Sequence, residues 1–193
     1  IDPKRPRVCF DERPTQLLGD VIAPIPMSMG QAKRIDYQYE RFGSVNLFMM
    51  VAPFIGWREV KATHRRTKVD FAQCMKDLVD VHFTDAERIT VVLDNLNTHT
   101  YGALYMAFDP QEARRIARKL DFHYTPKHAS WLNIAEIEIS VLSRQCLKQR
   151  IPSLERLTQV VHDWTARRNW QGSKINWCFD LTNARTKLTR LYP

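Results

Sequence analysis

The sequence predicts an α/β fold built on a mixed five-stranded sheet with helices on both of its faces. Two observations lead to this prediction. Three strand-like segments come first, and helical and strand-like segments then alternate along the chain. The segment at 89–93, ITVVL, is a continuous run of apolar and β-branched residues, which is typical of a central strand covered on both sides. An antiparallel meander followed by βαβ units gives a sheet of this kind.

The first half of the chain carries the meander. Its three strands are predicted at 7–12 (RVCFDE), 44–52 (SVNLFMMVA) and 57–64 (WREVKATH). The third segment alternates between apolar and polar residues, as a half-buried antiparallel strand does. Residues 27–35 are predicted to form a loop between the first two strands. A helix is predicted over 70–82, with Asp70 as its N-cap.

The second half follows the central strand and is mainly helical. Its predicted elements are helices at 101–108 and 110–120, a strand at 122–125, a helix from Trp131, a helix from the N-cap Ser153 to about 168, and a short helix at 183–191. The first two helices are separated at Asp109 because the proline that follows it cannot continue a helix. No internal repeat interrupts this order, so the whole chain is predicted to form one domain.

The helix from Trp131 is apolar on two sides. One apolar stripe consists of Leu132, Ala135, Ile139, Leu142 and Cys146, and the other consists of Ile134, Ile137 and Val141. A narrow polar strip between the stripes consists of Asn133, Glu136, Ser140 and Ser143, while Glu138 falls in the opposite gap. Carboxylates are rarely buried unless they are paired or bind a metal, so Glu136 is a candidate functional residue.

Length and composition indicate a globular protein with a sizeable core. The chain has 193 residues, of which 44% are hydrophobic and 26% are charged. No apolar run approaches the roughly 18 residues that span a bilayer, and no signal peptide is evident. The four cysteines are scattered without a CxxC pair, which favours a reduced, cytoplasmic protein and argues against a zinc site. The chain does not begin with Met, and we expect it to lack an N-terminal part.

The net charge of +8 indicates a polyanionic partner. Lysines and arginines occur in clusters, several of them close to aromatic residues, which suits contacts to phosphates and stacking on bases. The residues selected as candidate DNA contacts are Arg65, Arg66, Lys68, Lys127, His128, Arg144 and Lys148.

Three carboxylates can converge in the predicted topology. Asp11 ends the first strand and Asp94 ends the fourth, and these strands can lie side by side while the helix from Trp131 brings Glu136 to the same place. A site made only of carboxylates suits Mg²⁺, and two such ions about 3.5–4 Å apart promote in-line phosphoryl transfer. Because like charges in such a cluster repel, Asp94→Asn is predicted to leave the metal-free protein no less stable.

Three segments carry a family resemblance. Residues 9–12 (CFDE), 91–100 (VVLDNLNTHT) and 124–147 (YTPKHASWLNIAEIEISVLSRQCL) resemble the catalytic blocks of DDE transposases, in particular the bacterial insertion-sequence branch of the mariner superfamily. The resemblance implies a ribonuclease-H-like fold and a triad of Asp11, Asp94 and Glu136. The triad would bind Mg²⁺ or Mn²⁺, as two ions when DNA is present. The 41 residues between Asp94 and Glu136 exceed the usual mariner spacing, and the helix at 110–120 accommodates them.

The same resemblance implies an activity and partners. The chain would cleave DNA at the ends of a mobile element and join those ends to target DNA, as a dimer that pairs the ends, in the bacterial cytoplasm at the nucleoid and away from membranes. Residues 1–193 would form a single catalytic domain, because the family's N-terminal helix-turn-helix region has no counterpart here. Glu12, Asn95 and His99 are candidates for supporting the triad.

Two alternatives remain open from the sequence. A ribonuclease-H-like nuclease that only hydrolyses nucleic acid would use the same three carboxylates. A transposase-derived module that binds DNA without cutting it would not need them, and their presence argues against this reading.

Overall fold

A five-stranded mixed sheet with the strand order β3-β2-β1-β4-β5 forms the centre of the computed structural model, which describes residues 2–127, 130–177, 180–187 and 189. The strands are β1 Arg7–Asp20, β2 Tyr39–Ala52, β3 Trp57–Thr63, β4 Ile89–Leu93 and β5 Leu120–Tyr124. The first three are antiparallel neighbours, whereas β4 runs parallel to both β1 and β5. The predicted meander and the mixed five-stranded sheet are confirmed.

Helices cover both faces of this sheet. They are α1 Lys68–Asp77, α2 Tyr101–Ala107, α3 Pro110–Lys119, α4 Ile134–Gln145, α5 Leu154–Trp170 and α6 Leu181–Lys187, with a π-helical turn at Leu78–His82 and a 3₁₀ turn at Ser130–Leu132. Side chains from α1, α2 and α3 share one apolar core with Phe10 of β1, and side chains from α4 and α5 share a second core with Cys9. Successive strand residues point to opposite faces, so β1 contributes to both cores.

Strands β1 and β2 are longer than the sequence predicts. They continue to pair outward as far as Asp20 and Tyr39, and with the connecting loop they form an arm, defined here as residues 18–42. A register shift between Gln16 and Leu18 interrupts the alternation of apolar residues that would have revealed the strand. Pro14 is tolerated because β4 pairs with β1 only along 7–9, which leaves one edge of β1 free at that point.

The helix starts predicted at 101, at 110 and after Ser153 are confirmed, whereas those predicted at 70, 131 and 183 differ from the structure, in which α6 begins at Leu181. Thr67, not Asp70, is the N-cap of α1, and Asp70 completes a capping box by accepting a hydrogen bond from the backbone of Thr67 at 2.7 Å. The helix predicted from Trp131 begins at Ile134, after a separate 3₁₀ turn. Ser153 caps α5 as predicted. Among the described residues, no helix is long and apolar enough to cross a membrane.

Candidate active site

Asp11 and Asp94 lie on adjacent parallel strands and face the same side of the sheet. Cys9 pairs with Val92 in the β1–β4 register, and both residues contribute to the core beneath α4. Asp11 and Asp94 each follow this pair by two residues, so the strand periodicity directs both carboxylates toward α4. The predicted adjacency of the first and fourth strands is confirmed.

Asn133 fixes the start of α4 against β1. It is fully buried, its amide Nδ2 donates to the carbonyl of Phe10 at 2.7 Å, and its Oδ1 accepts from the backbone N–H of Ala135 at 3.2 Å. Asn133 is therefore the N-cap of α4 as well as a link to the residue just before Asp11. Glu136, half-buried in the first turn of α4, is held near Asp11 by this anchor.

The electrostatics of Asp11 show that the carboxylates are close. Burial, together with the negative charges of Asp94, Glu12 and Glu136, raises the pKa of Asp11 to about 7, although a hydrogen bond from the backbone N–H of Glu12 opposes this shift. That N–H donates to Asp11 Oδ1 at 2.8 Å. Negative charge is therefore concentrated around Asp11, which favours a bound cation.

A buried histidine connects Asp94 to Glu12. His99 Nδ1 lies 2.7 Å from Asp94 Oδ1, and His99 Nε2 lies 2.9 Å from Glu12 Oε2. The imidazole is fully buried and packs against the rings of Phe10 and Phe71. Burial lowers the pKa of His99, but its contacts with Asp94 and Glu12 outweigh burial and raise the pKa to about 9.

The charged imidazole in turn acts on Asp94. Its hydrogen bond holds the pKa of Asp94 below the ordinary value of 3.8, against the opposing effect of burial. A second hydrogen bond, from the backbone N–H of Leu96 at 3.1 Å, reaches the same carboxylate oxygen. Asp94 is thus ionised and fixed in orientation by two donors.

The described side chains do not form a ready-made metal site. Among the described residues, no three His, Cys, Asp or Glu side chains already form a group that could hold a metal ion. Asp11 and Asp94 each have one oxygen engaged with the protein. The donor set nonetheless consists of carboxylate oxygens on rigid elements, which is the chemistry that Mg²⁺ and Mn²⁺ select.

The other predicted supporting residue has a different contact. Asn95 donates from Nδ2 to the carbonyl of Thr125 at 2.6 Å, and Thr125 N–H donates to Leu93 at 2.8 Å. These bonds join the ends of β4 and β5 and do not reach Asp11 or Asp94. Asn95 therefore stabilises the edge of the sheet on which Asp94 lies.

The predicted DNA contacts lie mostly at the surface. Arg65, Arg66, Lys127, Arg144 and Lys148 are exposed, and Lys68 is half-buried at the start of α1. Arg66 comes nearest to the carboxylates, with Nη1 3.7 Å from Glu12 Oε1. His128 lies outside the described residues. Arg66 thus connects the predicted basic cluster at 65–68 to the candidate active site. Arg144 is exposed at the C-terminal end of α4.

Comparison with known proteins identifies the family to which the chain belongs. The family model described as DDE superfamily endonuclease matches residues 6–158, which include Asp11, Asp94 and Glu136. This chain belongs to the DDE superfamily endonuclease family. Among curated proteins, none matches this DDE endonuclease significantly.

Similarity to solved structures also shows the fold of this DDE endonuclease. It is similar to the Mos1 mariner paired-end complex with Mn (17% identity, TM-score 0.51, 88% of this chain and 52% of that chain), to a pre-cleavage Mos1 transpososome (14%, 0.55, 88% and 52%) and to the Mos1 strand transfer complex (15%, 0.52, 86% and 50%). The chain spans about half of the length of the chains it matches. The predicted ribonuclease-H-like fold is confirmed.

A buried ion cluster behind α4 was not predicted. Glu138 is 1% exposed and accepts from Arg168 Nε at 2.7 Å, and Arg58 Nε of β3, itself fully buried, lies 2.9 Å from the same oxygen. The cluster ties α4 of this DDE endonuclease to β3 and α5, on the helix side opposite Glu136. The sequence shows Glu138 as an acid between apolar stripes of the helix. Its partners Arg58 and Arg168 are distant in the chain, so the sequence pattern does not reveal them.

Proposed function

We propose that this chain is the catalytic domain of a transposase that cuts DNA at the ends of a mobile element and joins them to a target. The observation that carries the proposal is the convergence of charge on Asp11, whose pKa is raised to about 7 by burial and by Asp94, Glu12 and Glu136. Membership of the DDE endonuclease family and the fold shared with the Mos1 strand transfer complex support it.

We propose that Asp11, Asp94 and Glu136 hold Mg²⁺ or Mn²⁺, with two ions present when DNA is bound. The all-oxygen donor set fits these cations, and the Mos1 paired-end complex with Mn supports the assignment. When bound, the metal would activate the attacking oxygen and stabilise the leaving oxygen of a phosphodiester. Binding of Mn²⁺ to the metal-free protein would release the proton that Asp11 carries below about pH 7.

The chain's own residues have distinct roles in this proposal. Asn133 sets the position of Glu136 by anchoring α4 to the carbonyl of Phe10. His99 orients Asp94 and keeps it ionised. The predicted basic residues bind the DNA backbone, which places a phosphodiester next to the carboxylates. These basic residues are Arg65, Arg66, Lys68, Lys127, Arg144 and Lys148, together with His128.

The experiment compares hydrolysis with joining. The protein is incubated with Mg²⁺ or Mn²⁺, a plasmid target and a labelled duplex that carries the terminal repeat flanking the reading frame. A transposase gives both nicked duplex and label joined to the plasmid. A nuclease that only hydrolyses gives nicks without joined product, and a DNA-binding module gives neither while still retarding the duplex in a gel. Either of the last two results contradicts the proposal.

We propose further that two copies of the chain pair when the ends are brought together. The arm at 18–42 exposes several large apolar side chains, which a solvent-facing hairpin does not need. They include Val21, Ile22, Ile25, Met27, Met29, Ile35, Tyr37, Tyr39 and Phe42. Light scattering on the DNA complex tests this: we expect a dimer for the parent and a monomer for the double variant Met29→Asp/Tyr37→Asp.

Residues 1–193 are proposed to act as one catalytic domain, because both cores pack on a single sheet. We propose that the protein acts in the cytoplasm of a bacterium, at the nucleoid, as its resemblance to bacterial insertion-sequence transposases implies. The described cysteines Cys9, Cys74 and Cys146 are free and buried, which agrees with a reducing compartment.

A further inference from the structure

Arg13 lies on β1 two residues beyond Asp11, so its side chain faces the same side of the sheet. That side is the one covered by α4. Arg13 is half-buried, and a guanidinium in such a position normally has an anionic partner. Whether that partner is charged or neutral therefore indicates whether the positive charge of Arg13 is available to bind a ligand.

Arg13 has a neutral partner. Its Nη1 donates to the hydroxyl oxygen of Ser143, and that hydroxyl donates to the carbonyl of Ile139 at 2.6 Å. Within the part of the chain that the structure describes, no carboxylate forms an ion pair with Arg13. Other guanidiniums that do have such a partner are Arg58, Arg115, Arg150 and Arg168. Since arginine carries five N–H donors, Arg13 retains capacity for an anion.

The bond to Ser143 also fixes the place of the guanidinium. Ser143 follows Glu136 by seven residues on α4, which is two turns or about 10.5 Å along the same side of the helix. Asp11 and Arg13 are about 6.6 Å apart along β1. The cation thus lies beside the three carboxylates, displaced along both β1 and α4.

We propose that Arg13 binds a DNA phosphate about two nucleotides from the one that is cut. This inference rests on the proposed function. For a DNA strand that runs along β1 and advances about 3.4 Å per nucleotide, the offset along β1 corresponds to about two nucleotides from the cleaved bond. The planar guanidinium can hold two oxygens of that phosphate and so fix the register of the strand on Asp11. Ser143 orients the guanidinium for this contact.

The test replaces single phosphates of the DNA with neutral methylphosphonates, one position at a time, and measures binding to the parent, Arg13→Gln and Arg13→Lys. For the parent, we expect a neutral linkage about two nucleotides from the cut to weaken binding about tenfold. Arg13→Gln should weaken binding to unmodified DNA by a similar factor, lose sensitivity at that one position, and reduce the salt slope by about 0.9. Arg13→Lys should keep the salt slope and recover part of the affinity.

Two controls separate this role from a structural one. Arg118→Gln removes the same charge from an exposed site on α3, which packs on the other face of the sheet, and should leave the position-specific effect intact. Ser143→Ala removes the hydrogen bond but keeps the cation, so the salt slope should stay near that of the parent. If Ser143→Ala and Arg13→Gln instead have the same effect, Arg13 only joins β1 to α4 and the inference is wrong.

The outcomes also separate this inference from the proposed function. A parent that cuts and joins DNA but shows no sensitive phosphate near the cut, or an Arg13→Gln variant that keeps the same sensitivity, overturns the role of Arg13 alone. A parent that neither cuts nor joins DNA overturns the proposed function and this inference with it. If Arg13→Gln does not fold, the methylphosphonate series with the parent and Arg13→Lys still decides whether a phosphate at that position contacts the cation at residue 13.

Discussion

Replacing Asp11 with Asn should make the metal-free protein more stable at neutral pH, whereas replacing Asp94 with Asn should make it less stable. Asp11 is a carboxylate disfavoured in its charged form, because burial and three neighbouring acids raise its pKa to about 7. Asp94 is favoured in its charged form, because His99 lowers its pKa. The sequence prediction that Asp94→Asn leaves the metal-free protein no less stable considered only the mutual repulsion of the carboxylates. The hydrogen bond between Asp94 and His99 reverses the expected sign of the effect.

The size of the Asp11 effect follows from its pKa. A shift from 3.8 to about 7 corresponds to a ceiling of about 4 kcal/mol in the free energy of unfolding. Asp11 is partly exposed and therefore screened by solvent, so we expect about 2 kcal/mol. This raises Tm by about 4–8 °C in a chain of this length. Asp94→Asn weakens a charge-assisted hydrogen bond and should cost about 1–2 kcal/mol.

The pH dependence has a defined sign. The unfolded Asp11 carboxyl loses its proton near pH 3.8 and the folded one near pH 7. The parent therefore loses stability as pH rises through this window, and the loss is complete above it. The stability advantage of Asp11→Asn should grow from about pH 4 to pH 7 and then stay constant.

The assay is thermal unfolding of the parent and both variants at several pH values, with EDTA or with Mn²⁺. Mn²⁺ binds only the folded parent, so it should raise the Tm of the parent and reverse its order with Asp11→Asn. A destabilised Asp11→Asn variant in EDTA at pH 8 refutes the charge argument. An equal rise in Tm for parent and variant with Mn²⁺ refutes the metal assignment.

Three further expectations concern residues around the site. His99→Gln should destabilise the metal-free protein by about 2–4 kcal/mol at pH 6, and chemical denaturation should show this difference shrinking as pH rises through about 9, the pKa of the folded imidazole. Glu138→Gln should cost about 3 kcal/mol because it leaves buried guanidiniums unpaired, whereas Glu87→Gln, in an exposed pair, should change the unfolding free energy by less than about 0.5 kcal/mol. Neutralising Arg144 and Lys148 together should weaken DNA binding regardless of sequence and lower the salt slope by up to about 2 in a fluorescence titration.

Strong local signals explain which elements were predictable. The central strand β4 has the predicted bounds of 89–93, because its β-branched run allows no other reading. The predicted helix at 110–120 differs from α3 by one residue, since Asp109 and the proline after it mark its start. The arm was missed because a register shift and an exposed apolar surface both break the pattern of a buried strand.

The candidate site was predictable only in part, for a physical reason. The adjacency of Asp11 and Asp94 follows from topology, which local patterns can supply. The contacts of His99 with two acids, and of Glu138 with two arginines, join side chains from separate elements. Their pairing depends on how helices rotate and pack against the sheet, and no periodicity in one segment encodes that. The roles of Asp11, Asp94 and Glu136 as metal ligands stay a proposal.

The most direct measurement is the rate of Mn²⁺-dependent DNA cleavage by Asp11→Asn, Asp94→Asn and Glu136→Gln, with Glu87→Gln, in an exposed ion pair, as the matched control. DNA binding and circular dichroism are recorded on the same samples. We expect each of the three changes to slow cleavage by at least about a hundredfold while binding persists, and the control to cut at the rate of the parent. A folded variant of any of the three carboxylates that cuts as fast as the parent would contradict the central claim.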